Sequence, residues 1–74
     1  MVRKSKVDLT AIGVRIRKLR GSMLQDELAA LLDVTQGHLS KIEAGKIAPS
    51  LEILAALSVK FDKTIDWIIC GDRK

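Results

Sequence analysis

The stretch VTQGHLSKIEAG, residues 34–45, places a glycine one residue inside what its apolar spacing marks as a helix. Thr35 can cap such a helix, Gln36 to about Ala44 can form it, and Gly45 can close it in the left-handed conformation. With roughly 100° of turn per residue, Gln36, Ser40, Gly37 and Lys41 fall on one side. Leu39 and Ile42 fall on the other, with Glu43 at the edge of that apolar face. One face must therefore be packed, while the opposite face is polar, nearly free of acids, and carries a glutamine and a lysine. Gly37 fits two readings. Either the position is exposed and unread, so that glycine is merely tolerated, or the missing side chain lets the helix N-terminus approach a ligand closely.

Outward from this segment the chain predicts four more short helices. Leu9 to Arg20 carries Ile12, Ile16 and Leu19 at helical spacing, with basic residues between them, and Gly21-Ser22 ends it. Gln25 to about Leu32 has Leu28, Leu31 and Leu32 as its apolar face, with Asp26 and Glu27 in the first turn, where acids suit the helix dipole. Ser50 is placed to cap a fourth helix, with Leu51, Leu54, Leu57 and Phe61 as its buried stripe. Thr64 is placed to cap the last, which Gly71 stops. In that helix Ile65, Ile68 and Ile69 share a face. Cys70 reads as a small apolar filler, and Trp67 either covers the fourth helix or the N-terminal segment, or lies in a subunit contact. The expected organisation is a basic arm (1–8), one all-α domain (9–71) and a short tail (72–74).

Composition bounds what such a domain can do. At 74 residues, 47% apolar and 30% charged, the chain has a globular balance, but a core too small for more than one domain. Its net charge is +4 and unevenly placed. Arg3, Lys4, Lys6, Arg15, Arg17, Lys18 and Arg20 stand in the first twenty residues against Asp8 alone, which fits either a polyanionic partner or a solubilising end. The single cysteine allows no internal disulfide, and a reducing, cytoplasmic setting is the natural one. His38, the only histidine, has no second ligand for a metal and no nucleophile to serve, so neither cofactor nor catalysis is expected. It reads as a histidine near phosphate or as a solvated one.

A helix beginning at a glutamine, a short turn, and a second helix with a capping threonine together form a helix-turn-helix, whose second helix enters the DNA major groove. Polar and basic residues on that helix's outer face add to the case. The order I-R-K-L-R (16–20), Q-D-E-L-A (25–29), V-T-Q (34–36), S-K-I-E-A-G-K (40–46), P-S (49–50) and D-W-I-I-C-G (66–71) resembles the Cro/C1-type helix-turn-helix regulators, the group of the phage lambda repressor. The resemblance spans about residues 12–71 and implies a compact five-helix fold that binds double-stranded operator DNA, usually as a homodimer on a palindrome.

It also implies roles. Gln25 matches a phosphate-contacting glutamine. Thr35, Gln36, Gly37, His38, Ser40 and Lys41 match the recognition surface, and Lys46 matches a loop that touches backbone phosphate. Arg20 and Glu43 match a pair joining the first helix to the third. Amide chemistry suits Gln36 to adenine, and an ammonium suits Lys41 to guanine or a phosphate, with Ser40 tuning between them. Arg17 is expected near phosphate. Three positions depart from the pattern: Leu24 where Ser or Thr usually caps the second helix, Asp33 where the turn usually has glycine, and Gly37 where a base-reading side chain is frequent. The expected function is a transcriptional regulator, of repressor type from a phage, prophage or mobile element. The alternative is an antitoxin that binds its own operator and a toxin partner.

Overall fold

The computed structural model describes residues 7–72. The expected basic arm, as far as residue 6, and the last two residues of the tail lie outside the described residues. Five helices follow one another: α1 (Leu9–Arg20), α2 (Gln25–Leu31), α3 (Gln36–Glu43), α4 (Leu51–Phe61) and α5 (Ile65–Cys70). There is no strand among the described residues.

Side-chain oxygens start four of these helices. Asp8, Thr35, Ser50 and Thr64 each accept the backbone N–H three residues on, at 2.9–3.1 Å. α2 lacks this device because Leu24 has no acceptor and its side chain is 61% exposed. The cost is partly offset from the other direction, since the Glu27 carboxylate accepts the Leu24 N–H at 3.0 Å. Asp33 adopts φ 60° in the turn between α2 and α3, and Gly45 adopts φ 78° beyond α3. At Gly45 the geometry also excludes a side chain, because a Cβ there would lie 2.8 Å from the Thr10 backbone.

The core is Ile12, Ile16, Leu28, Ala29, Leu32, Leu39, Ile42, Ile53, Leu54, Leu57 and Ile68, each at most 8% exposed. α3 packs on α1 and α2, while α5 packs on α1 and α4. α1 thus joins the two-helix unit α2–α3 to the pair α4–α5. The tightest crossing is at Gly13, where an added Cβ would press into the Glu43 carbonyl and lie 2.7 Å from the Ile42 carbonyl. α3 can lie this close to α1 because residue 13 has no side chain.

Three expectations need correction. Leu31 is 56% exposed, and Ala29 takes its place in the core. The buried face of α2 is centred between Leu28, Ala29 and Leu32, which leaves Leu31 about 110° away. Leu51 is 77% exposed, since α4 buries Ile53, Leu54 and Leu57 with Phe61 half-buried, and Leu51 lies about 100° off that face. Cys70 is exposed rather than packed. Ile68 is the inward residue of that last turn, with Ile65, Trp67 and Ile69 half-buried beside it.

Candidate nucleic-acid interface

α3 turns its apolar side, Leu39 and Ile42, into the core and leaves Gln36, Gly37, His38, Ser40 and Lys41 exposed on the other. Thr35 is exposed at the helix start, and its hydroxyl accepts the His38 backbone N–H at 3.0 Å. The N-terminal turn is therefore fixed, and the polar residues it carries point to solvent along one side. Nothing lies within 4 Å of the Cβ that Gly37 lacks. The fold itself makes no demand for glycine at this position.

Beside α3 runs an open cleft of about 250 Å³, lined by Arg17, Arg20, Gln25, Ser40, Glu43 and Ala44. It brings together side chains from α1, α2 and α3. At its base Arg20 forms a two-point ion pair with Glu43, Nε to Oε2 at 2.8 Å and Nη2 to Oε1 at 3.0 Å. Arg20 Nη1 also donates to the Met23 carbonyl at 2.7 Å. The two side chains are 15% and 4% exposed, so the pair is shielded from water. The hydrogen bond to Glu43, helped by that carboxylate's charge and opposed by partial burial, holds the Arg20 guanidinium above the ordinary arginine range. Arg20 is thus a structural cation whose charge is compensated inside the fold.

Gln25, half-buried at the start of α2, extends the pair outward. Its Nε2 donates to Glu43 Oε1 at 2.9 Å, and its Oε1 receives a long contact of 3.4 Å from Gln36 Nε2. A polar chain therefore runs from Arg20 through Glu43 and Gln25 to Gln36, the first residue of α3. The Gln25–Glu43 bond is not visible in the sequence. The one available signal is that a carboxylate offers more acceptor sites than a single guanidinium fills.

Arg17 is exposed at the rim of the cleft. Lys46 is exposed just beyond α3, and its backbone N–H donates to the Lys41 carbonyl at 2.9 Å, which ties that loop to the last turn. Lys41, Lys46, His38, Thr35 and Gly37 do not line the cleft and sit along or beyond the exposed face of α3. Arg15, counted with the basic end by composition, does something different. It donates to two carbonyls at the end of α5.

The surface offers hydrogen-bonding groups and uncompensated positive charge on one side of a two-helix unit. It holds no group of three or more His, Cys, Asp or Glu side chains fit for a metal among the described residues, and no helix there is long and apolar enough to cross a membrane. The helix-turn-helix family model matches residues 15–68. The P22 c2 repressor protein, solved in complex with synthetic operator 9T in the presence of Tl+, superposes with a TM-score of 0.76 at 30% identity, over 82% of this chain and 96% of that one. The restriction-modification controller protein C.AhdI from Aeromonas hydrophila superposes with a TM-score of 0.72 at 26% identity, over 84% of this chain and 97% of that one. No curated protein matches by sequence. The match over most of the chain, the shared architecture and the polar outer face of α3 lead to one assignment: the chain belongs to the Cro/C1-type helix-turn-helix family of DNA-binding transcriptional regulators.

Proposed function

We propose that the protein is a cytoplasmic repressor that binds a palindromic operator as a homodimer and reads bases with α3. The observation that carries this reading is the arrangement around the cleft, where Gln36 stands exposed at the start of α3 and is linked through Gln25 to the Arg20–Glu43 pair. Gln36, with Lys41 one turn further along, reads base edges, and Ser40 tunes the fit. An amide donates and accepts at once, which matches the N6 donor and N7 acceptor of adenine, whereas an ammonium only donates and suits the two acceptors of guanine. Gln25, Thr35, His38, Arg17 and Lys46 contact or lie beside backbone phosphates and set the register. At Gly37 the backbone comes close to the DNA. The operator complex of the P22 c2 repressor supports the same docking here.

A helix of eight residues reaches only a few base pairs. Two copies related by a two-fold axis, with half-sites one helical turn apart at about 34 Å, read enough sequence to be selective. The outer side of α5 is the surface proposed for this pairing. Selection of genomic duplex fragments by the protein, followed by footprinting and sedimentation of the complex, tests the reading. A protected palindrome carrying two protomers is expected. An unselective footprint, or one protomer per site at saturation, contradicts it.

A further inference from the structure

The Glu43 carboxylate, 4% exposed, accepts three hydrogen bonds: Arg20 Nε to Oε2 at 2.8 Å, Arg20 Nη2 to Oε1 at 3.0 Å, and Gln25 Nε2 to Oε1 at 2.9 Å. A carboxylate held by an arginine has acceptors and no donor, whereas a glutamine amide has one accepting end and one donating end. Gln25 can therefore meet Glu43 only with its NH2, which turns its carbonyl oxygen away from the pair. That oxygen is where Gln36 Nε2 arrives, at 3.4 Å. Turning Gln36 alone would set two carbonyl oxygens against each other. Turning Gln25 would set its carbonyl against the carboxylate. The charged bonds at Glu43 are the strong end of the chain and the surface contact at Gln36 is the weak one, so the direction is imposed from the buried end.

Gln36 and Glu43 are the first and last residues of α3, about two turns apart on the same side, and Gln25 from α2 spans the gap between them. With one N–H given to Gln25, the Gln36 amide keeps its carbonyl and one N–H for a base edge. Adenine offers an amino donor and an N7 acceptor to such a group in the major groove, whereas guanine offers two acceptors. If both amides were reversed, Gln36 would give its carbonyl to Gln25 and keep two N–H groups, which suit guanine. The direction of the chain therefore carries base preference.

We infer that Glu43 is a positioning residue for specificity: its buried negative charge, relayed by Gln25, fixes which way round the Gln36 amide is presented, so that a side chain hidden from the DNA selects adenine over guanine at the base pair Gln36 reads. The inference rests on the base-reading role proposed for Gln36. It gives Glu43 a task beyond joining α1 to α3, for which the two-point pair with Arg20 suffices.

The test uses Gln36→Ala, Gln25→Met, Glu43→Gln, the double variant of the last two and, as a control, Arg20→Lys in the full chain. Each is titrated by competition against duplexes of the selected operator that differ only at the base pair where Gln36→Ala relaxes preference, with random duplex as reference. The unfolding temperature of each is also measured. Wild type is expected to favour adenine over guanine at that position by about tenfold or more. Glu43→Gln keeps the shape but puts a donor where the carboxylate had only acceptors. It lowers the ratio to within about threefold without weakening the hold on random duplex. Gln25→Met cuts the relay, leaves the ion pair in place and lowers the ratio alike, so the test stands even if Glu43→Gln fails to fold. The double variant lowers it no further, because both changes act through one path. Arg20→Lys keeps a cation beside Glu43, so it lowers the unfolding temperature and preserves the ratio. A wild-type ratio in Gln25→Met or in folded Glu43→Gln, including one kept while every duplex is bound equally more weakly, overturns the inference and leaves the base reading of Gln36 intact. So does a wild-type protein that favours guanine there. A Gln36→Ala variant with no change of preference at any base pair removes the base reading and the inference together.

Discussion

Gln36 and Gly37 are adjacent and exposed, and the proposed function gives them different parts on DNA. In the proposed reading the Gln36 amide contacts a base edge by hydrogen bonds, so Gln36→Ala is expected to weaken operator binding by about 1–3 kcal/mol and relax preference at one base pair. Random DNA should be bound nearly as before, because no charge is lost. Equal losses on both in a competition assay would make Gln36 a register residue and pass base reading to Lys41, His38 or DNA shape. Gly37 has open space around it in the protein, so Gly37→Ala should stabilise the chain by up to about 1 kcal/mol through helix propensity. Close backbone approach to the operator predicts that this same variant binds more weakly despite melting later. Unchanged affinity would leave the glycine merely exposed.

The elements were legible in the sequence where caps and stops are written in residue types. Thr35, Ser50 and Thr64 start their helices, and Gly45 and Gly71 end theirs at positive φ. Faces were less legible than ends. Leu31 and Leu51 are apolar at nearly helical spacing, and only tertiary packing sets which 100° of arc is buried. Contacts between distant elements, such as Gly13 against α3 or Arg15 against α5, left no local pattern to read. Gly13→Ala is expected to destabilise the fold by about 1–3 kcal/mol or more in denaturant unfolding, because the neighbours that must move are backbone.

The Arg20–Glu43 pair joins α1 to α3 in the same non-local way. Arg20→Met leaves a carboxylate that is 4% exposed with Gln25 as its remaining donor, and should cost about 3–5 kcal/mol. Glu43→Gln, which keeps an acceptor, should cost less, and a double-mutant cycle should show strong coupling. Additive losses would show that the pair contributes nothing as a pair. Because the folded guanidinium titrates above its ordinary range, the part of the stability carried by Arg20 is complete at every pH below that range. It is lost only as pH rises through the folded value. No step in stability from this group is expected between about pH 6 and 9.

Across the whole molecule the basic residues divide by role. Arg20 is compensated by Glu43, and Arg15 is engaged with α5. Arg17, Lys41 and Lys46 remain exposed on or beside the α3 side and are assigned to phosphate or, for Lys41, to a base edge as well. If this side meets duplex DNA as proposed, binding releases counterions, and the salt dependence of affinity reads that release. Binding to the selected operator should be measured between 50 and 200 mM salt. Two protomers that each neutralise about three phosphates predict a slope of log affinity against log salt of about −5 or steeper. Replacing Lys46 by alanine should make the slope shallower by about one per protomer. A slope near zero would contradict the account, because no protein held by phosphate contacts from this surface could be indifferent to salt.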